Sequence, residues 1–325
     1  STMLMNNPEL GWDAAVNWIF KTKNFYSNND FQSLKNVPGI NNYPHLGSYI
    51  WAIFWKISFV NHEYTGRLVY IFIYLSSIFA ATSILKTDIF KKTILGTIIS
   101  ILAFDNILIN GYQEPLMFSF CILFMLFFLK IEETKKISLS YLFLFFVANL
   151  ILWTKNEGIF FLIFLSMFVL LSKKIFIQQK ILILFFFSLL IFIKSILFNL
   201  YMDGLLIGWD GYKFINLFEI FSAEYLKRLP YLSFQVLISF FKHPIFVLFI
   251  ICFIISCCFY KGKSYKNLEF IIFLILNIAM SIGIFYLTKD TMWYFHAAVG
   301  LDRILYQTSG VFIIYIFKFL NKAYF

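Results

Sequence analysis

The sequence predicts an all-α, polytopic membrane protein with about nine transmembrane helices and interfacial helices in its outer loops. Two observations carry this prediction. The 325 residues are 61% hydrophobic, include 45 Phe and are only 14% charged, which is more apolar side chain than a soluble fold of this length can bury. Every second connection between apolar segments is also short and bears lysine, as the positive-inside rule describes for cytoplasmic loops.

Nine apolar segments are candidate spans, although several are shorter than the roughly 20 residues that cross a bilayer. They are Gly66–Leu85, Thr93–Asn110, Pro115–Leu129, Ile137–Thr154, Glu157–Ser172, Ile181–Tyr201, Pro244–Tyr260, Leu268–Thr288 and Ile304–Phe317. If residues 1–65 lie outside, nine crossings put all five lysine clusters and the end of the chain inside. These clusters are Lys86 to Lys92, Lys130 to Lys136, Lys173 to Lys180, Lys261 to Lys266, and Lys318 with Lys322.

The acids then lie mostly on the outer side. Of the 17 acids, only Asp88, Glu132, Glu133 and Glu269 face the cytoplasm in this topology. The net charge of +10 therefore reflects membrane orientation and does not indicate nucleic-acid binding. The lysine-rich cytoplasmic side fixes the orientation in the membrane, and the acid-rich outer side holds the groups that could do chemistry.

Three aromatic stretches fit helices that lie in the membrane interface, namely Trp12–Phe25, His45–Phe59 and Tyr231–Phe241. Lys56 interrupts His45–Phe59, and counting that stretch as a span would move the lysine clusters outside. In Trp12–Phe25 the apolar and polar side chains separate onto two faces, with Asp13, Asn17 and Lys21 on the polar face.

We therefore expect an outer first loop at residues 1–65 and a transmembrane domain at 66–325, which includes a second outer loop at 202–243. The four cysteines are expected to be buried small hydrophobes, without a disulfide framework or a metal site; they are Cys121, Cys252, Cys257 and Cys258. The chain begins with Ser1 in a polar segment, so we expect a fragment with at least one further span upstream.

Two outer acids are candidates for chemistry. Asp13 lies in the first turn of a predicted helix, where the helix dipole favours a carboxylate, and it could also act as a general base. Glu114 lies in a very short outer hairpin and is followed by Pro115 at a first-turn position. For Asp105, about 7.5 Å inside its predicted span at 1.5 Å per residue, we expect a structural hydrogen bond.

Two further outer sites carry basic residues. Lys155-Asn156-Glu157-Gly158 forms a tight polar turn with Glu157 at a helix start. Arg303 follows Asp302 at the outer entrance of the last span, where a guanidinium can grip phosphate with its planar fork. Snorkelling to lipid phosphates and a local pair with Asp302 are the structural alternatives for Arg303.

Other chemistries have weaker signals. The histidines have no metal-ligand spacing; they are His45, His62, His243 and His296. The sequence has no Gly-rich phosphate loop and no soluble nucleotide-binding domain. Because nucleotide sugars are absent outside the cell membrane, a sugar transferase acting there would need a donor carried by lipid.

Several motifs together resemble a known family. They are Gly11-Trp12-Asp13-Ala14 with Trp18, Lys21 and Lys23; Asn42-Tyr43-Pro44-His45-Leu46; Tyr112-Gln113-Glu114-Pro115-Leu116; Lys155-Asn156-Glu157-Gly158; and Leu301-Asp302-Arg303. Their order and predicted membrane faces resemble those of bacterial multi-spanning glycosyltransferases with the GT-C fold. This superfamily includes the aminoarabinose lipid A transferase and the protein O-mannosyltransferases. The resemblance extends from Gly11 to the last helix.

The resemblance implies a polyprenyl-phosphate sugar as donor and a lipid or glycan acceptor reached from the periplasm. Asp13 would take the place of the first-loop general base, and Glu114 that of the second outer acid. Arg303, or secondarily Lys155, would hold the donor phosphate. The further candidates are Tyr43, His45, Glu157 and Asp302. The reaction would be an inverting hexosyl or pentosyl transfer without a covalent enzyme intermediate.

Two other functions remain open, namely a lipid-linked glycan flippase or other transporter, and an O-antigen ligase or polymerase. No cofactor is certain from the sequence, and whether a divalent metal assists is open. We expect a multi-pass protein of the bacterial inner membrane, with its first loop outside and its C-terminus in the cytoplasm. Its partners would be the donor, the acceptor and membrane lipids.

Overall fold

A computed structural model describes residues 9–30, 32–37, 43–134, 138–202, 221–259, 268–288 and 291–324. Every regular element in these ranges is helical. The α-helices are α1 (Ile19–Tyr26), α2 (Leu46–Ile57), α3 (Glu63–Ala81), α4 (Ile89–Leu102), α5 (Glu114–Thr134), α6 (Leu139–Thr154), α7 (Gly158–Leu171), α8 (Ile177–Met202), α9 (Ala223–Leu226), α10 (Arg228–Lys242), α11 (Pro244–Phe259), α12 (Leu268–Tyr286) and α13 (Trp293–Tyr324).

Local sequence explains where several helices begin. Asp88 caps α4, because its carboxylate accepts a hydrogen bond from the Lys91 N–H at 2.9 Å. Glu114 is the first residue of α5, where a negative charge complements the helix dipole. Pro244 begins α11, at a position where a missing backbone N–H costs no hydrogen bond.

The helices form two compact units. The first comprises Ser1–Ala80 and Phe104–Gly208, and the second comprises Ala81–Ala103 and Trp209–Phe325. In the first unit, α5 packs along α6, α6 and α7 both pack on α8, and α1 packs on α2. In the second unit, α10, α11 and α12 all pack against α13. The prediction of an outer loop at 1–65 and a membrane domain at 66–325 remains a prediction.

The apolar helices support the prediction of a helical membrane protein, but they do not show nine membrane-spanning helices. Five helices are long and apolar enough to cross a membrane: Glu63–Ile84, Glu114–Thr134, Ile177–Phe198, Leu268–Tyr286 and Trp293–Lys322. A sixth span would require α10 and α11 to act together, although they meet at an angle of 86°. The predicted spans at α6 and α7 are apolar helices of only 16 and 14 residues.

The predicted span Thr93–Asn110 is not one continuous helix. Helix α4 ends at Leu102, and a separate 3-10 turn follows at Asn106–Leu108. Asp105 caps this turn, because its carboxylate accepts a hydrogen bond from the Ile107 N–H at 3.0 Å. This is the structural hydrogen bond expected of Asp105.

The three predicted interfacial stretches are largely helical, and in one of them two polar side chains are buried in the protein. Asn17 and Lys21, on the polar face of Trp12–Phe25, are buried, whereas Trp12 on the apolar face is 71% exposed. A π-helical turn at Ala14–Trp18 changes the register on which the two faces were assigned. The polar stripe of this segment therefore packs inside the protein.

Two of the cysteines also differ from the prediction. Cys121 and Cys252 are buried, but Cys257 and Cys258 near the end of α11 are exposed. Other sequence predictions lie outside the described residues. These include the acids Asp203, Asp210, Glu219 and Asp290, the cluster Lys261 to Lys266, Lys135, Lys136, and Asn42 of the second motif.

Candidate functional site

Two predicted motifs that are about a hundred positions apart in the chain contact each other in the first unit. The Gly11 N–H donates to the Asn110 carbonyl at 2.9 Å, and a Cβ on Gly11 would overlap the ring of Tyr112. Gly111 has a φ of +78°, and a Cβ there would lie 3.1 Å from the Cβ of Ala14. The turn thus requires glycine, and it brings the Asp13 segment beside the start of α5.

A third motif joins the same turn through an ion pair. Lys155 Nζ lies 3.0 Å from Glu114 Oε1 and 3.6 Å from Glu157 Oε1. All three side chains are at most 5% exposed. The fold explains the meeting, because Glu114 begins α5, Lys155 ends α6 and Glu157 immediately precedes α7.

This arrangement balances charge inside the protein. A buried carboxylate is costly unless it is paired, and Lys155 pairs with two. Its ammonium is therefore shared between Glu114 and Glu157. This pairing competes with the predicted role of Lys155 as a phosphate ligand. A divalent metal would have to displace this ammonium to bind both carboxylates.

Two buried acceptors in the same turn have no hydrogen-bond partner among the described residues. They are Glu157 Oε2 and Asn156 Oδ1, and both residues are at most 6% exposed. Buried polar atoms are nearly always hydrogen-bonded in folded proteins. These two oxygens are therefore positions where a water molecule or a ligand hydroxyl could donate.

Lys194 is a buried cation that the sequence analysis missed. It lies in α8 with no exposed surface, and its Nζ donates to the Leu152 carbonyl at 2.6 Å, in the last turn of α6. A cation there is favoured by the helix dipole, and Glu157 also interacts electrostatically with it. The signal was available, since Lys194 is the one charged residue in 181–202, and ionisable residues inside apolar spans often mark functional sites.

Tyr43 and His45 lie beside the buried polar stripe of the first helix. Lys21 Nζ donates to the Tyr43 carbonyl at 2.7 Å, and the Tyr43 ring meets Trp18 edge-on at 5.5 Å. The His45 ring lies 5.7 Å from Trp153, close in sequence to the Lys155 turn. These contacts connect the second predicted motif to the rest of the cluster.

Burial changes the charge of two of these groups. It lowers the pKa of Lys21 from 10.5 to about 7. Burial, together with the positive charges of Lys21 and Lys194, lowers the pKa of His45 from 6.5 to about 3. His45 is therefore a neutral imidazole at neutral pH, and it can donate or accept a hydrogen bond without carrying charge.

Arg67 is a second buried cation that the sequence analysis missed, and its contacts are structural. Its guanidinium pairs with Glu63 at 2.7 Å and donates to the Ile109 carbonyl at 2.9 Å. A longer bond of 3.4 Å reaches the Glu9 carbonyl. Arg67 therefore holds together α3, the segment before α1 and the turn that leads to Glu114.

Asp302 and Arg303 lie in α13 of the second unit. Asp302 Oδ1 is 2.8 Å from His243 Nε2, and Asp302 Oδ2 accepts from Lys242. Arg303 is partly exposed. The predicted role of Arg303 as a ligand of the donor phosphate stays a prediction.

The described helices indicate a helical, membrane-associated protein with a buried cluster of charges at the helix ends of its first unit. Comparisons with protein-family models, curated proteins and solved structures found no match to this chain. Its function is therefore inferred from the residues and their geometry.

Proposed function

We propose that the chain is an integral membrane glycosyltransferase that moves a sugar from a polyprenyl-phosphate donor to an acceptor. The observation that carries this proposal is the meeting of three motifs. The Gly11–Ala14 segment contacts the turn that leads into Glu114, and Glu114 pairs with Lys155 at 3.0 Å. This supports a GT-C-like site, in which a first-loop acid and a second outer acid act together.

The proposed reaction is an inverting single displacement. The acceptor hydroxyl gives its proton to Asp13 as its oxygen attacks the anomeric carbon, and the bond from that carbon to the phosphate oxygen breaks. The lipid phosphate leaves with the bonding electron pair. Preorganised positive charge that stabilises this leaving group supplies a large part of such catalysis, and Arg303 is the proposed phosphate ligand, with Lys155 second.

Glu114 and Glu157 have a supporting part in this scheme. Glu114 is held in one position by Lys155, so it can orient the acceptor or the attacking oxygen without moving. The unpartnered Glu157 Oε2 and Asn156 Oδ1 are acceptors of the kind that sugar hydroxyls satisfy. The neutral His45 and the aromatic Tyr43 add uncharged polar and stacking surface nearby.

The test is transfer by membrane vesicles that contain Asp13→Asn. Vesicles receive a panel of polyprenyl-phosphate pentoses and hexoses with tritiated sugar, and tritium that reaches lipid, glycan or protein acceptors is counted. We expect Asp13→Asn to abolish transfer while inserting at the wild-type level. Glu9→Gln, which removes an exposed acid four positions earlier, is the matched control and keeps full transfer. Wild-type transfer by Asp13→Asn would overturn the role of Asp13.

We further propose that the protein spans the bacterial inner membrane with residues 1–65 outside and its C-terminus in the cytoplasm. The alternation of lysine-rich and acid-rich connections supports this orientation. In a cysteine-free background, Ser27→Cys and Lys91→Cys place one thiol at exposed positions in the two kinds of connection. Ser27→Cys should react with an impermeant maleimide in intact spheroplasts, and Lys91→Cys only after permeabilisation. The reverse pattern would contradict this orientation.

A further inference from the structure

Glu114, Lys155 and Glu157 form a carboxylate–ammonium–carboxylate cluster. The two acids stand at the starts of two different helices, and both contact the ammonium of Lys155. The two carboxylate oxygens lie 3.0 and 3.6 Å from Lys155 Nζ. Oxygens of this kind are also the ligands that Mg²⁺, Mn²⁺ and Ca²⁺ take in proteins. In this cluster the ammonium of Lys155 supplies the positive charge between the two carboxylates.

We propose that the ammonium of Lys155 occupies a latent site for a divalent cation, which becomes available when this side chain is shortened. The native cluster is then complete without a metal. Its two carboxylates gain affinity for a hard divalent cation once Lys155 is removed. This inference concerns cation binding alone and does not depend on the proposed sugar transfer.

Electrostatics gives the reason. Without Lys155, two carboxylates would remain close together in a buried environment, where like charges strongly disfavour having both ionised. A divalent cation at the position left by the Lys155 ammonium would again neutralise the two carboxylates. Metal–oxygen distances are about 2.0–2.6 Å, so each carboxylate would have to move inward by roughly 1 Å from its present distance to Lys155 Nζ.

The neighbouring oxygens suit the same ligand. Glu157 Oε2 and Asn156 Oδ1 are buried and have no hydrogen-bond partner in the part of the chain that the structure describes. Carboxylate and amide oxygens are both ligands for hard cations. The turn therefore holds oxygen acceptors beyond the two that Lys155 engages.

A purely structural ion pair makes a different prediction. If Lys155 only clamps α5 to α6, its removal weakens the fold and adding a divalent cation changes nothing. If Lys155 fills a cation site, its removal creates a saturable response to cation. The two interpretations therefore differ in a measurement that needs no substrate.

The experiment measures thermal unfolding of the full chain in detergent micelles, with and without millimolar Mn²⁺. Bound Mn²⁺ is counted independently by its electron paramagnetic resonance signal. The variants are Lys155→Ala and Lys155→Met, of which the second keeps most of the side-chain volume. Lys174→Ala is the matched control, because Lys174 also pairs with a glutamate but is 61% exposed. Lys155→Ala/Glu157→Gln removes one of the two carboxylates.

We expect Mn²⁺ to raise the midpoint of Lys155→Ala by roughly 4 °C, as binding to the folded state alone requires. Wild type and Lys174→Ala should not respond, and Lys155→Ala/Glu157→Gln should lose most of the response. Equal Mn²⁺ binding by wild type and Lys155→Ala would overturn the proposal. So would the absence of a response in both Lys155 variants, or a failure of Mn²⁺ added during solubilisation to rescue variants that do not fold.

Discussion

Lys155 Nζ lies 3.0 Å from Glu114 Oε1, and this contact joins residues 41 positions apart between the end of α6 and the start of α5. Both side chains are at most 5% exposed. The pair therefore fixes the spacing of two helix ends in the first unit, and its removal should affect stability as well as any chemistry at Glu114.

A double-mutant cycle on this pair should show strong coupling. Lys155→Met takes the shared cation away from two buried carboxylates and should lower the free energy of unfolding by about 3–5 kcal/mol. Glu114→Gln leaves Lys155 paired with Glu157 and should cost less. The double variant should lose clearly less than the sum of the two. Denaturant unfolding of the full chain in micelles measures these values, and Lys174→Met should change stability by less than about 1 kcal/mol. Additive single effects would contradict the pairing.

Glycine substitutions at two helical positions should have opposite effects. A Cβ at Gly47 in α2 would overlap the side-chain amide of Gln113, so Gly47→Ala should cost about 1–3 kcal/mol. A Cβ at Gly283 in α12 meets no atom within 4 Å, so Gly283→Ala should stabilise the helix by roughly 0.5–1 kcal/mol. Thermal unfolding of the two variants in parallel measures the difference. A neutral or stabilising Gly47→Ala would mean that α2 does not pack on Gln113 in this way.

Tyr70→Phe should destabilise the first unit. The Tyr70 hydroxyl donates to the Gly47 carbonyl at 2.9 Å and accepts from Gln113 Nε2 at 3.0 Å. Removing it takes the acceptor away from the buried Gln113 Nε2 and removes one hydrogen bond to the Gly47 carbonyl, and we expect a loss of about 1–3 kcal/mol. Tyr49→Phe, in a half-exposed ring on the same helix as Gly47, should change stability by less than about 0.5 kcal/mol. Equal effects of the two variants would refute the role of the buried hydroxyl.

The stability of the protein should fall in acid partly because of His45. Its pKa is lowered to about 3 in the fold from 6.5, so between these values the unfolded chain binds more protons than the folded one. Stability is therefore lost as pH falls from about 6.5, by up to about 1.4 kcal/mol per pH unit for this one group. Comparing unfolding midpoints of wild type and His45→Gln from pH 7.5 to pH 4 tests this. The variant should show a smaller decline, and an identical decline would remove His45 as a cause.

The sequence predicted the helical fold better than it predicted the contacts between the helices. Long apolar runs predict α5, α8 and α12 directly, because a run of that length is typical of a membrane-spanning helix. They did not reveal the end of α4 at Leu102, after which Asp105 caps a separate turn within an otherwise apolar segment.

The sequence also did not predict which residues pair in the folded protein. Lys155 and Glu114 each look like ordinary residues of polar turns, and only the packing of α5 on α6 shows that they meet. Nor did the sequence show that Asn17 and Lys21 are buried, in a segment whose side-chain register a π-turn at Ala14–Trp18 shifts. Lys194, in contrast, could have been identified as the one charge in its apolar span.

The docking of Gly11 on Asn110 has a consequence for the order of synthesis. A ribosome makes the Gly11 segment long before it makes the turn that receives it, and Arg67 and the Ile109 carbonyl likewise meet only after that turn emerges. The segment that leads into α1 therefore takes its final place only after the turn at Asn110 has been synthesised.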